Sequence, residues 1–332
     1  ARAIGVFSFT ASAGGSVGLL LGGAITQTLG WHWAFLVNVP IGIATIALGL
    51  RVIVAPAGIG WRDGADVIGA VAITASLMLG VYAVVQVPIV GISSPPVLIC
   101  GALALLLFGA FLWRQITAKK PLVPLRLFRS RNIAGANVLE MLLSAGLFGF
   151  FFLDALVLRR SLGYGALQTG LAFLPLTITS GVLSLGWAER LVTTFGARRV
   201  LIAGSVLAFA GLLALTVTPP GTRYLVSTFP AMFLIGVGMG AAFPPLMLFA
   251  MSGTTEADAG VASGVLATSS EVGGAVGLAV LATIASIGGF RAAFVAATAC
   301  VGVSIVIATV VLERDDMSRV VDHERRNEPK GA

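Results

Sequence analysis

The chain has 332 residues, 57% of them hydrophobic and only 11% charged, and its mean hydropathy is +1.00. Soluble domains carry about 25% charged residues, so this composition excludes a water-soluble globule and specifies an integral membrane protein. The formal net charge of +7 would raise nucleic acid as a partner for a soluble chain; here the basic residues lie between apolar runs and are read as topology signals, with no nucleic acid expected.

A spanning helix needs about 20 mostly apolar residues. Ten runs meet that requirement: 5–29, 33–53, 66–87, 94–114, 133–156, 167–187, 200–218, 227–250, 261–286 and 292–312. Period-2 alternation is absent, which argues against a barrel, so the expected class is an all-α membrane protein with about ten transmembrane helices.

The first run carries Gly5, Gly14, Gly18 and the pair Gly22-Gly23. Gly14, Gly18 and Gly22 are four apart and fall along one stripe of a helix. In lipid such a stripe lets a second backbone approach closely, where hydrophobicity alone cannot drive association. The second run begins near Asn38, and the sixth near Gln168; both are read as polar groups for interhelical hydrogen bonds.

Residues 115–132, QITAKKPLVPLRLFRSRN, form the longest and most basic break. Leu122, Val123, Leu125, Leu127 and Phe128 interleave there with Arg126, Arg129 and Arg131, the pattern of a segment lying in a headgroup layer and held by anionic lipid. Between the sixth and seventh runs, Glu189, Arg190, Gly196, Arg198 and Arg199 cluster at helix ends. A carboxylate and arginines placed so are expected to pair as a latch, or to act as simple anchors. The ninth run adds Gly260 and Gly264, then Gly273 and Gly277, again four apart. The last segment, 313–332, is polar and mixed in charge and reads as a solvated tail.

Orientation follows from the lysines and arginines. If the first helix starts in the cytoplasm, only Arg159, Arg160, Arg223 and Arg291 of the 21 fall outside. Both ends of the chain are then cytoplasmic, in a multi-pass protein of the cell membrane.

Three of the 14 acidic residues fall inside apolar runs: Glu140, Asp154 and Glu271. An ionised carboxylate at the membrane centre costs about 2.5–3.5 kcal/mol on insertion scales. Each is therefore expected to be protonated, paired or beside a wet path, states that suit a proton carrier. Glu271 lies mid-run beside Ser269 and Ser270. Glu140 lies about a third of the way along its run, where a water-facing acid at a vestibule is the alternative. Asp154 is near the outer end, where an ion pair with Arg159 or Arg160 would explain it.

Other chemistry finds no support. Gly14-Gly15-Ser16-Val17-Gly18 fits a nucleophile pattern but sits in a spanning run with no strand before it. Gly236-Val237-Gly238-Met239-Gly240 lacks dinucleotide spacing, and no phosphate-binding G-x4-G-K-[ST] occurs, so no ATP is expected. Cys100, Cys300, His32 and His323 are isolated; no metal, disulfide or cofactor is expected, and no enzyme.

The glycine pattern of the first run resembles the antiporter signature of the fifth helix in the major facilitator superfamily. That signature has proline directly after its third glycine, where this chain has Leu19. LGWHWAFLVNVPIG, PLVPLRLFRSRN, LGYGALQTGLAFLP and GVASGVLATSSEVGGAVGLAVLATI are similar to stretches of the 14-helix drug:proton antiporters of that superfamily, and the resemblance covers residues 2 to about 312. GWAERLVTTFGARRVLIAG resembles the second-half copy of the superfamily's cytoplasmic loop motif, and Asn38 and Gln168 fall in similar signatures.

The resemblance implies an organisation and an activity. Residues 1–53 would be the last two helices of an N-terminal bundle, 54–114 an inserted pair, 115–132 a cytoplasmic linker, 133–312 a C-terminal six-helix bundle and 313–332 a tail. Four helices are then expected upstream, with a monomer as the complete form. Proton-coupled efflux of hydrophobic or drug-like compounds by alternating access is implied, with Glu271, Glu140 and Asp154 on the path of substrate and protons. Leu19 and the acid at 271, where relatives often have glutamine, leave room for an exporter or uniporter without proton coupling. A fragment with only a structural role also stays open.

Overall fold

The computed structural model describes residues 2–52, 66–118, 121–219 and 222–312. Arg62, Lys119, Lys120 and the 313–332 tail lie outside the described residues. All regular structure among the described residues is helical: α1 (Arg2–Thr28), α2 (Trp31–Leu36), α3 (Asn38–Val52), α4 (Val67–Val90), α5 (Pro95–Thr117), α6 (Arg131–Ser161), α7 (Ala166–Ala172), α8 (Leu174–Gly186), α9 (Ala188–Phe195), α10 (Ala197–Val217), α11 (Thr228–Ala250) and α12 (Glu256–Val310), with a 3-10 turn at Leu125–Arg129.

Each of the ten apolar runs corresponds to one helical rod, but two rods are broken. Pro40 cannot donate to the carbonyl of Leu36, and the second run splits there into α2 and α3. Pro175 likewise leaves the carbonyl of Leu171 without its helical donor, and the sixth run splits into α7 and α8. The 55 residues of α12 would extend about 80 Å if straight, against a hydrocarbon core of about 30 Å. Gly289 resolves this with φ 78° and ψ 172°, a conformation open to glycine and costly for other residues.

The two arms of α12 run oppositely along α6. Gly273, Gly277 and Leu281 of the first arm meet Met141, Ala145 and Gly149 in rising order. Ala297 and Val301 of the second arm meet Gly146, whereas Val311 and Leu312 meet Gly135. The chain therefore reverses at Gly289 and grips α6 between its arms. Eight helical stretches among the described residues are long and apolar enough to cross a membrane, this folded one among them.

Small residues set the packing. A Cβ on Gly204 of α10 would lie 2.6 Å from the carbonyl oxygen of Gly238 on α11, and one on Gly238 would lie 2.5 Å from that of Gly204. Gly240, on another face of α11, is held as tightly against Ser180 of α8. Phe150, Leu139, Leu153, Leu201, Leu212, Met232, Ile235 and Phe249 fill the centre of this α6, α8, α10, α11, α12 assembly.

The first helix packs against both α7 and α8. A Cβ on Gly170 would meet the carbonyl oxygen of Leu19 at 2.6 Å, and one on Gly23 that of Ala166 at 2.8 Å. Of the glycine signature, the surroundings of Gly5 lie outside the described residues, and among the others Gly23 packs in this way. Gly14, Gly18 and Gly22 have nothing within 4 Å of a would-be Cβ, and neither have Gly260 and Gly264. Among the described residues the expected stripe of Gly14, Gly18 and Gly22 thus meets no neighbouring helix, whereas Gly273 and Gly277 do.

Candidate functional site

The site is built on the seam between α6 and the first arm of α12. Gly273 and Gly277 bring the two backbones together, so short side chains on either helix reach across. Glu140 of α6 is buried at 6% exposure. The Ser144 hydroxyl, one turn on and on the same face, donates to Glu140 Oε1 at 3.0 Å and lies 2.8 Å from the Ser270 hydroxyl of α12. One turn earlier, Ser269 donates to Asn137 Oδ1 at 2.9 Å, and Asn137 Nδ2 donates to the Ile133 carbonyl at 2.8 Å. The result is a polar ladder inside an apolar bundle, with no lysine, arginine or histidine among the described residues paired to Glu140.

Glu271 follows Ser270 but points the other way. It is exposed in this chain and faces a groove of about 810 Å³ between α4 and α12, together with Tyr82 and Gln86. Gln86 donates to the Tyr82 hydroxyl at 2.9 Å. The two glutamates thus flank one turn of α12, Glu140 joined to it through Ser144 and Ser270, and Glu271 carried on its other side.

Asp154 is placed differently from its expected boundary ion pair. Because α6 extends to Ser161, its carboxyl stays inside at 1% exposure and forms no ion pair with Arg159 or Arg160. Its Oδ2 has no hydrogen-bond partner. It borders a cavity of about 120 Å³ with Ser161, Thr218, Thr228 and Arg291, far along α6 from Glu140.

The cluster read as latch or anchor is divided. Glu189, Arg190 and Arg199 are exposed and form no ion pair with one another. Gly196, at φ 87°, turns the chain from α9 into α10, and Arg198 reaches the end of α12, donating to the carbonyls of Ala308, at 3.3 Å, and Thr309. A cation on otherwise unpaired terminal carbonyls satisfies both the hydrogen bonds and the helix dipole. Asn38 and Gln168 also act locally. Asn38 donates to Ala34 and Phe35 carbonyls of its own turn, and Gln168 accepts from Gly165 N. The interhelical bond there belongs to Gln27, whose Oε1 accepts from Leu167 N at 3.1 Å.

Two further clusters tie the helices at the end that carries the basic linker. Asp66 caps α4, accepting from Gly69 N at 2.9 Å, and binds Arg114 and Gln115 of α5. Burial pushes the Asp66 carboxyl up, but the Arg114 guanidinium, the Gly69 amide and Gln115 outweigh it and hold the group below the usual carboxylate range. Gln115 Oε1 in turn accepts from Val123 N at 2.9 Å, and Arg126 forms a fork on Asp258 at 3.0 and 2.9 Å. The sequence reading passed over these partners, although serine four residues after Glu140 was a visible signal.

Among the described residues no group of histidine, cysteine, aspartate or glutamate could hold a metal ion. The architecture is that of a multi-pass helical membrane protein, with a buried polar ladder along one helix seam, an adjoining groove and a separate buried carboxyl at Asp154. Residues 1–278 match the Major Facilitator Superfamily, and the chain belongs to that superfamily, whose members are transporters of small molecules rather than enzymes. It is 35% identical over 277 residues to a cephamycin export protein of Amycolatopsis lactamdurans, covering 82% of this chain and 57% of that one. A puromycin resistance protein of Streptomyces alboniger is 32% identical over 82% of this chain and 54% of its own. A lincomycin resistance protein of Streptomyces lincolnensis is 34% identical over 80% of this chain and 54% of its own. The chain thus spans about half the length of these relatives.

Proposed function

We propose that the complete protein is a secondary transporter that exports hydrophobic, antibiotic-like compounds in exchange for protons by alternating access. The observation that carries this reading is Glu140, a buried carboxyl held among the described residues by hydroxyls at a close-packed helix seam. A buried charge without a counter-charge is costly and a protonated carboxyl is not, so proton binding there changes the stability of the α6–α12 contact. Such a contact is a two-state element that a proton and a substrate can bias in opposite directions. Glu271, in the adjoining groove with Tyr82 and Gln86, is the group that meets substrate or passes the proton. Asp154 is a third candidate on the proton path, at the opposite end of α6. The relatives' export and resistance roles support an antibiotic-like substrate class. The placement of 17 of the 21 lysines and arginines on one side supports cytoplasmic ends for the chain.

Export without proton coupling is favoured by one observation, Leu19 in the place of the signature proline. One experiment separates the two. The complete protein is reconstituted in vesicles with an internal pH dye and challenged with hydrophobic antibiotics. Coupled transport gives a pH change with the wild type that falls at least tenfold with Glu140→Gln. Substrate movement with no pH change, or with equal movement in Glu140→Gln, refutes proton exchange.

A further inference from the structure

We propose that the groove beneath the basic linker is a binding site for an anionic phospholipid, with one acyl chain in the groove and its phosphate on the linker arginines. The groove has a volume of about 550 Å³ and is walled by α4, α5, α6, α12 and the linker, with Ile73, Phe111, Leu125, Phe128 and Val265 among its lining. No charged side chain lines it, and its polar contribution is Thr268 and Ser269.

The linker explains how a headgroup and a chain are held together. Residues i and i+3 of a 3-10 turn eclipse one another. Leu125 and Phe128 therefore share the face that lines the groove, and Arg126 and Arg129 share another. Arg126 is fixed by its fork on Asp258, yet its side chain remains 68% exposed, which leaves guanidinium donors open. Arg129 and Arg131 are exposed and form no ion pair among the described residues. Arg126 and Arg129 thus each follow directly on a residue that lines an apolar slot, Leu125 and Phe128, with Arg131 two residues further on, a combination that suits a phosphate with a hydrocarbon tail.

Depth matches as well. The groove begins beside the linker, level with the start of α4, where Asp66, Gln115 and Val123 are joined. It reaches Leu77, ten residues into the helix. Ten residues rise about 15 Å, half of a hydrocarbon core of about 30 Å, which is the depth of one leaflet. The pinned linker holds the mouth in place: Val123 is tied to α5 and Arg126 to α12.

Gly264 gives a clean test, because it lines the groove and a Cβ there meets nothing within 4 Å. The complete protein, in nanodiscs of equal phosphatidylglycerol and phosphatidylcholine, is extracted and its retained lipid measured by native mass spectrometry. Wild type is expected to retain phosphatidylglycerol over phosphatidylcholine at least tenfold. Gly264→Phe, which fills the slot, and Arg129→Gln with Arg131→Gln, which removes the charge, are each expected to lower that retention at least fivefold with unchanged elution and helicity. Equal retention of the two lipids overturns the proposal. So does unchanged retention in either variant, or displacement of the lipid by a transported antibiotic, which would make the groove a substrate site. Should Gly264→Phe fail to fold, the arginine pair decides the matter alone.

Discussion

Gly277 offers the sharpest check on the packing of the polar seam. In Gly277→Ala the new Cβ would lie 2.5 Å from Ala145 Cβ and 2.6 Å from the Ala145 carbonyl oxygen, where ordinary contact begins at 3.4 Å. It would fall closer still to Ala145 Cα, so the first arm of α12 must withdraw by about 1.1 Å, because the obstruction is backbone rather than a flexible side-chain end. The Ser144–Ser270 contact, now 2.8 Å, would open to about 3.9 Å and cease to be a hydrogen bond. Overpacking costs roughly 1–3 kcal/mol, and a buried polar group left unpaired about 1–3 kcal/mol more. Gly264→Ala lies on the same arm in open space and is expected within about 0.5 kcal/mol of wild type. Thermal inactivation of the detergent-solubilised protein compares the two at one heating rate. Gly277→Ala is expected to melt at least about 4 °C lower, with a parallel loss of transport. Equal melting of the two variants would show that the arm is not held against α6 by these glycines.

Two other variants probe groups outside the spans. Asp66 is held below its ordinary carboxylate range, so its contribution to stability is present above the unfolded value near 3.9 and is lost as pH falls through the lower folded value. Asp66→Asn is expected to destabilise the protein at pH 7 but to match wild type once the carboxyl is protonated; an equal deficit at both pH values would dismiss the Arg114 pairing. Tyr224 donates to the Ala172 carbonyl at 2.7 Å, and burial, then the Asp154 carboxylate and Tyr164, push its phenol up to about 12. Its stabilisation is therefore complete below pH 10 and lost as pH rises through the folded value. Tyr224→Phe should cost about 1 kcal/mol at pH 7, and a smaller deficit above pH 10, read from unfolding curves at both pH values, checks the sign.

Much of this architecture was legible from the order of residues alone. Length and hydropathy located ten rods because a bilayer tolerates only helices whose backbone groups are satisfied within the segment, whereas the breaks after Leu36 and Ala172, inside the runs 33–53 and 167–187, emerged only in the structure. The three intramembrane acids stood out for the same reason: charge is rare where it is expensive. Their surroundings were not legible. Glu140, Asp154 and Glu271 look alike in sequence, yet one joins a hydroxyl ladder, one is buried against a small cavity and one opens on a groove.

Those differences arise from rotations of about 100° per residue and from which helix lies opposite. The same holds for the glycines: Gly14, Gly18 and Gly22 have the spacing of a packing stripe, but Gly273 and Gly277 are the ones another backbone of this chain touches. It holds too for Arg198, which satisfies carbonyls 110 residues away, and for Arg126, paired with Asp258 across 132. Local chemistry determined that this chain crosses a membrane and roughly where. Only tertiary contact decided which polar groups meet, because partners distant in sequence leave no mark on one another's neighbours.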